Sequence, residues 1–360
     1  MAQVKNTPKS QLVSQTSEAV NVIRGVMILI LVFVHWSPGV FERLAIDYQY
    51  ITNPFFRLAT PGFAIIFGIA TGLYTFSKFE KDPINARIRI RFGLKMVLTG
   101  LLILAVVRYF DSSINGHTLD VNWPVTLFFS VLAYYFLALL TLPLWYFILA
   151  HFKRRALAAA ICSILFFATA FLIKKLLPTS EALTGFTRLG GLMVEAKYNY
   201  FSMSGIVFMG IALGIYIKQR LDNDQKSNHL YIPGLMIVVI GTIASLSFDK
   251  PHTWFTADMT TVWMNLTYFG LIVLLLWATI GYIGLGIKNC ASVNLVHFLA
   301  VLGSISLRVF IGHALVIPIK NLFVSLGLPY SIALSLSIFL FFIAMLLPAR
   351  KIYKKYYGSS

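Results

Sequence analysis

A chain of 360 residues that is 58% hydrophobic and only 12% charged is not a soluble globular protein, in which roughly a quarter of the residues carry charge. Its apolar residues fall in runs of roughly 18 to 25, the length that crosses a ~30 Å hydrocarbon layer as helix, and neither a soluble α/β domain nor a β-barrel has such runs. The formal net charge of +17 does not point to nucleic acid, which needs a solvated basic face, because these cations are scattered over short connections.

In chain order the runs predict ten spans, near 20–37, 54–76, 92–110, 123–150, 156–173, 200–217, 230–247, 262–285, 299–318 and 329–348. The expected fold class is all-α, a polytopic transmembrane helical bundle. A single domain covers 20–348, between an N-terminal segment 1–19 and a basic tail 349–360. The first apolar run lacks a cleavage site of small residues and reads as a retained helix, not a signal peptide. Lys78, Lys81, Arg87, Arg89, Arg91, Lys95, Lys153, Arg154, Arg155, Lys218 and Arg220 crowd one side of the layer. That side holds roughly twice the Lys and Arg of the other, a bias that marks it as cytoplasmic and puts both termini there. Cys162 falls inside the fifth span and Cys290 in a cytoplasmic connection, so neither a disulfide nor a cysteine-based metal site is implied.

Ionisable groups inside a span are costly to bury, which makes each a functional candidate. Arg24 and His35 lie in RGVMILILVFVH in the first span. Eleven helical steps bring the chain ~20° past three full turns, so both project from one face, ~16 Å apart along the axis. Arg24 is in the cytoplasmic half and His35 near the outer end. The same positions also suit an arginine snorkelling to the headgroups and a histidine that caps the outer interface. The late run LAVLGSISLRVFIGHALVIP carries Ser304, Ser306, Arg308 and His313. On one helix Ser306 and His313 share a face, whereas Arg308 and His313 are ~140° apart. Packing explains the serines and glycines as well as chemistry does. A buried Arg308 would need a partner or a wet cavity. No carboxylate lies deep in a span, which weakens a proton-coupled transporter.

These segments resemble a known family. Arg24 to His35, with the preceding Asn21-Val-Ile and the following Gly25, is similar to the first-helix signature of the acyltransferase-3 family of integral membrane acyltransferases. PFFRLATPGFAIIFGIATGLY resembles its second-helix stretch, with Ala-Thr-Gly at 70–72 in place of a Ser-Gly pair. ARIRIRFGLKM at 86–96 resembles the arginine-rich loop before its third helix, and LGSISLRVFIGHALV at 302–316 its late helix. Arg308 and Phe310 stand where the family usually has aromatics.

The resemblance implies an acyl-CoA-dependent O-acyltransferase in its stand-alone form. Such an enzyme is a multi-pass protein of the bacterial inner membrane, among membrane lipids. It moves an acyl group, commonly acetyl, from cytoplasmic acetyl-CoA or another acyl-CoA to a hydroxyl of an extracytoplasmic glycan or lipid-linked saccharide, with no metal. On that plan Arg87, Arg89 and Arg91 collect the CoA phosphates and Arg24 binds further along the donor. His35 serves as general base or as an acylated nucleophile. Arg57 stabilises an oxyanion, Arg308 serves donor or acceptor, and Ser306 and His313 line the acceptor site. The rival is a transporter or flippase for a lipid-linked saccharide, whose marks are inverted repeats or broken midplane helices. Neither is clear in the sequence.

Reporter fusions test the topology. Signals are expected inside at Asn85, Arg155 and Asn223 and outside at Gly116, Gly185 and His252. An outside signal at Asn223 breaks the even count of spans.

Overall fold

The computed structural model describes residues 8–41, 58–114, 131–176, 200–223, 230–248, 262–285 and 290–357. Every described element is a helix: α1 (Pro8–Phe41), α2 (Ala59–Ala70), α3 (Phe76–Lys81), α4 (Pro83–Ile114), α5 (Val131–Ala150), α6 (Arg155–Leu176), α7 (Tyr200–Asp222), α8 (Tyr231–Phe248), α9 (Val262–Gly284), α10 (Cys290–Ser304), α11 (Ser306–Ser325) and α12 (Tyr330–Tyr357). A π-helical segment, Thr71–Thr75, joins α2 to α3 without interrupting the span. Among the described residues ten helical segments are long and apolar enough to cross a membrane. Lipid offers no partner for an unpaired peptide group, so helices that satisfy their own backbone are the form such segments take. The outer faces are apolar: Ile84, Ile88 and Phe92 of α4 and Phe339, Phe342 and Leu346 of α12 are exposed.

α2 and α7 form the most buried part of the bundle. They approach through four glycines. A Cβ on Gly68 would stand 2.1 Å from the Val207 carbonyl oxygen, one on Gly210 2.1 Å from that of Ile65, one on Gly214 2.4 Å from that of Ile69, and one on Gly72 2.5 Å from that of Ile211. No residue with a side chain fits such contacts, and close backbone approach is what drives helix association in lipid. Gly72, the last of the small residues at 70–72, therefore serves this seam. α10 seats on α1 in the same way, Gly303 against the Asn21 carbonyl and Gly25 against that of Leu299.

Three expectations are corrected. The first helix begins at Pro8, within the polar N-terminal segment, and its apolar span starts at Leu12. The arginine-rich stretch is not a loop: Arg87, Arg89 and Arg91 occupy the opening turns of α4. Asp82 caps that helix, accepting from the Asn85 backbone N–H at 3.1 Å, with Pro83 at the first helical position, where its missing N–H costs nothing. The Asn85 side chain also donates to Asp82 and holds its carboxyl below the usual range. Finally, the run 299–318 is not one helix. It breaks at Ile305, whose φ of −102° and ψ of 11° end α10 and start α11. A hydrophobic run reports apolarity, and Gly303, Ser304 and Ser306 lower helix propensity without marking which residue gives way.

The glycine seam makes a stability prediction. Gly210→Ala should destabilise by about 1–3 kcal/mol through overpacking, whereas Gly281→Ala, where a Cβ meets nothing within 4 Å, should change stability by less than about 0.5 kcal/mol. Equal shifts of the thermal midpoint in detergent for the two variants would refute the seam.

Candidate active site inside the membrane layer

A cavity of about 270 Å³ opens between α1, α2, α4, α5 and α11. Arg24 lines it, together with Tyr135 of α5 and Ser306 of α11. Apart from Thr60 of α2, the rest of the wall is apolar, made by residues such as Leu31, Phe63, Phe67, Val97, Leu132, Leu139 and Phe310. The guanidinium donates to Asn21 Oδ1 at a long 3.4 Å. Tyr74 and Tyr135 lie close enough to interact with it electrostatically. No carboxylate among the described residues pairs with it. A cation removed from water without a counter-ion costs several kcal/mol, and an arginine offers five donors in a fork matched to anionic oxygens. The arrangement suits a negatively charged guest.

The neighbouring polar groups are few. The Tyr135 hydroxyl is shielded from solvent and makes no hydrogen bond; its ring meets Phe67 edge-on at 5.3 Å. The π-helical segment Thr71–Thr75 inserts an extra residue per turn, which re-aims the side chains it carries, and Tyr74 is among them. Seven residues separate Arg24 from Leu31, about 10 Å of helix. The cavity thus runs along α1 from Arg24 toward Phe41. His35 is one turn beyond Leu31 on the same helix.

The remaining predicted residues divide clearly. Ser306 joins Arg24 at the cavity, as the sequence placed both among the functional groups. The side chain of His35 and all of Arg57 lie outside the described residues. Arg87, Arg89 and Arg91 are exposed. Arg87 and Arg91 share a face of α4, and Arg89 is about 160° from each. Arg89 stands one turn before Gly93, which lines the cavity. Arg308 is exposed, not buried as the sequence suggested, because it sits ~200° around α11 from Ser306. His313 is only 4% exposed and stands against the Phe310 ring at 5.3 Å, but it does not line the cavity. The sequence reading missed Tyr135, Tyr74 and the break at Ile305. A pair of tyrosines in SVLAYYFLALL, a run otherwise apolar but for Ser130, was the available signal for the first.

A second cavity, about 240 Å³, opens where α3, α5, α6 and α7 meet. Its charges are largely matched: Arg155 pairs with Glu80, and Lys218 with Asp222 at 2.7 Å.

A bundle of membrane-length helices with a cavity that Arg24 lines, and no carboxylate paired with that guanidinium among the described residues, defines a polytopic membrane protein. Residues 17–349 match the acyltransferase 3 family, described as an acyltransferase domain. The chain belongs to that family and is a multi-pass membrane acyltransferase. No curated protein and no solved structure matches it.

Arg24→Met separates function from folding. An apolar side chain of similar length removes the desolvation penalty, so the thermal midpoint should stay level or rise while acyl transfer is lost. A clear fall in the midpoint would make Arg24 a structural residue.

Proposed function

We propose that the protein transfers an acyl group from cytoplasmic acyl-CoA to a hydroxyl of an extracytoplasmic or lipid-linked saccharide, across a bacterial inner membrane with both termini cytoplasmic. The observation that carries this reading is the cavity that Arg24 and Leu31 of α1 line, one turn short of His35 on the same helix. It lies within the apolar layer, where a donor from one side can meet an acceptor from the other. Family membership supplies the acyl transfer.

In this scheme the donor enters past the exposed arginines of α4 and its anionic portion comes to rest at Arg24. His35, an imidazole of the kind that serves as a general base, takes the proton from the acceptor hydroxyl. The hydroxyl oxygen attacks the thioester carbonyl, the C–S bond breaks, and the proton passes to the departing CoA thiolate. Acylation of His35 before transfer is the two-step variant of the same chemistry. Arg57 is assigned to the developing oxyanion. Acetyl is the acyl group the sequence resemblance favours. The broken helix at Ile305 is also a mark of transporters, and a flippase would move the saccharide without changing its mass.

His35→Ala tests the scheme. With purified protein, radiolabelled acetyl-CoA and envelope glycans, transfer should fall by ~10²–10⁴, the usual size of general-base catalysis, while membrane level and CoA binding hold. Full activity in that variant at normal expression removes His35 from the mechanism.

A further inference from the structure

The outer face of α4 carries charge in the middle of an apolar strip. Ile84, Ile88, Arg91, Lys95, Leu98 and Leu102 follow one another at steps of four and three residues, and all are exposed. At ~100° per residue they fall within ~40° of one line along the helix. That line is opposite Gly93, through which α4 lines the cavity. Arg91 and Lys95, each two residues from Gly93, stand ~160° from it and point away from the chamber. Both fall inside the apolar span Pro83–Val107, with exposed isoleucines before them and exposed leucines after them. Apolar side chains on both sides keep the pair within the lipid layer. The outer helices α6 and α12 carry Lys and Arg only toward their ends.

Neither cation pairs with a carboxylate among the described residues. They are four residues apart, a spacing at which like charges repel on a helix, and Arg87, exposed one turn earlier, adds a third. Charge held in the layer calls for a counter-charge. The anion native to that depth is the phosphate of a lipid headgroup. An arginine meets it with a two-pronged fork, a lysine as a point charge at the end of a flexible stem. A zwitterionic headgroup brings its own ammonium into this crowd of cations, and an anionic one does not.

We propose that Arg91 and Lys95 form a binding site for an anionic phospholipid, with the headgroup phosphate bridged between guanidinium and ammonium and an acyl chain laid along Leu98 and Leu102. The site lies apart from the donor path. It leaves Arg89, ~40° from Gly93, as the arginine on the cavity side of α4, and it does not depend on what the protein transfers.

Native mass spectrometry of the full chain in detergent tests the site. The protein is titrated with phosphatidylglycerol or with phosphatidylcholine of the same acyl chains. Wild-type protein should bind phosphatidylglycerol about 30-fold more tightly, the attraction of two cations near an anionic headgroup. Arg91→Gln combined with Lys95→Gln should bind the two lipids alike, and Lys95→Gln alone should lose about five-fold. Arg91→Lys combined with Lys95→Arg keeps both charges and should keep most of the preference, as should Arg89→Gln. Calorimetric titration with CoA separates the two sources of phosphate, because the double glutamine variant should bind CoA as wild type does. A preference that survives the double glutamine variant, or that Arg89→Gln lowers as much as Lys95→Gln, overturns the site. Weakened CoA binding in the double glutamine variant with its lipid preference intact overturns it in favour of the donor.

Discussion

A guanidinium halfway along a membrane-length helix, with no carboxylate paired to it among the described residues, is the constraint around which this bundle is organised. Arg24 has one long hydrogen bond to Asn21 and a cavity in front of it. Placing that charge carries a penalty that packing alone never repays. The surroundings moderate it with neutral polar groups, the tyrosine side chains of α5 and of the π-helical segment. None of these is a full negative charge. The chamber therefore keeps an excess of positive potential in a medium of low dielectric, where electrostatic attraction acts strongly.

The irregular backbone sits where this requirement is felt. Lipid tolerates no unpaired peptide groups, so departures from the α-helix are confined to the protein interior. The π-helical segment Thr71–Thr75 is held by the glycine seam between α2 and α7, where Gly72 and Gly214 lie against facing backbone. The break at Ile305 is buried, 4% exposed, and the adjoining α10 is locked to α1 through Gly25 and Gly303. The same close packing that holds the bundle together shelters the two places where it departs from ideal geometry, and both open toward Arg24.

This arrangement gives the family's chemistry a physical form. In the proposed function an acyl donor on one side and a hydroxyl acceptor on the other are separated by an apolar layer that neither crosses readily. A chamber with one polar end and apolar walls orients a guest by charge at the first end and by exclusion along the rest. In that proposal Arg24 and His35, eleven residues apart on one helix, set the length over which the orientation operates.

The primary structure by itself determined the class of fold, because length and apolarity of a run are sufficient to specify a membrane-spanning helix. It also determined that Arg24 and His35 share a face, since that follows from helical periodicity alone. Residues brought together from different helices were another matter. Ser306 was legible as a polar group in an apolar run, but its meeting with Arg24 depends on how α11 packs beside α1. Tyr135 drew no notice, because a tyrosine in a span is equally at home in the core or at the interface, and only the packing of α5 brings it to the cavity. Arg308 looked buried on the sequence and proved exposed, as the helix turns that residue away from the cavity. The break at Ile305 and the π-helical segment were decided by tertiary contact, where interhelical glycine packing fixes a backbone geometry that local propensity leaves open.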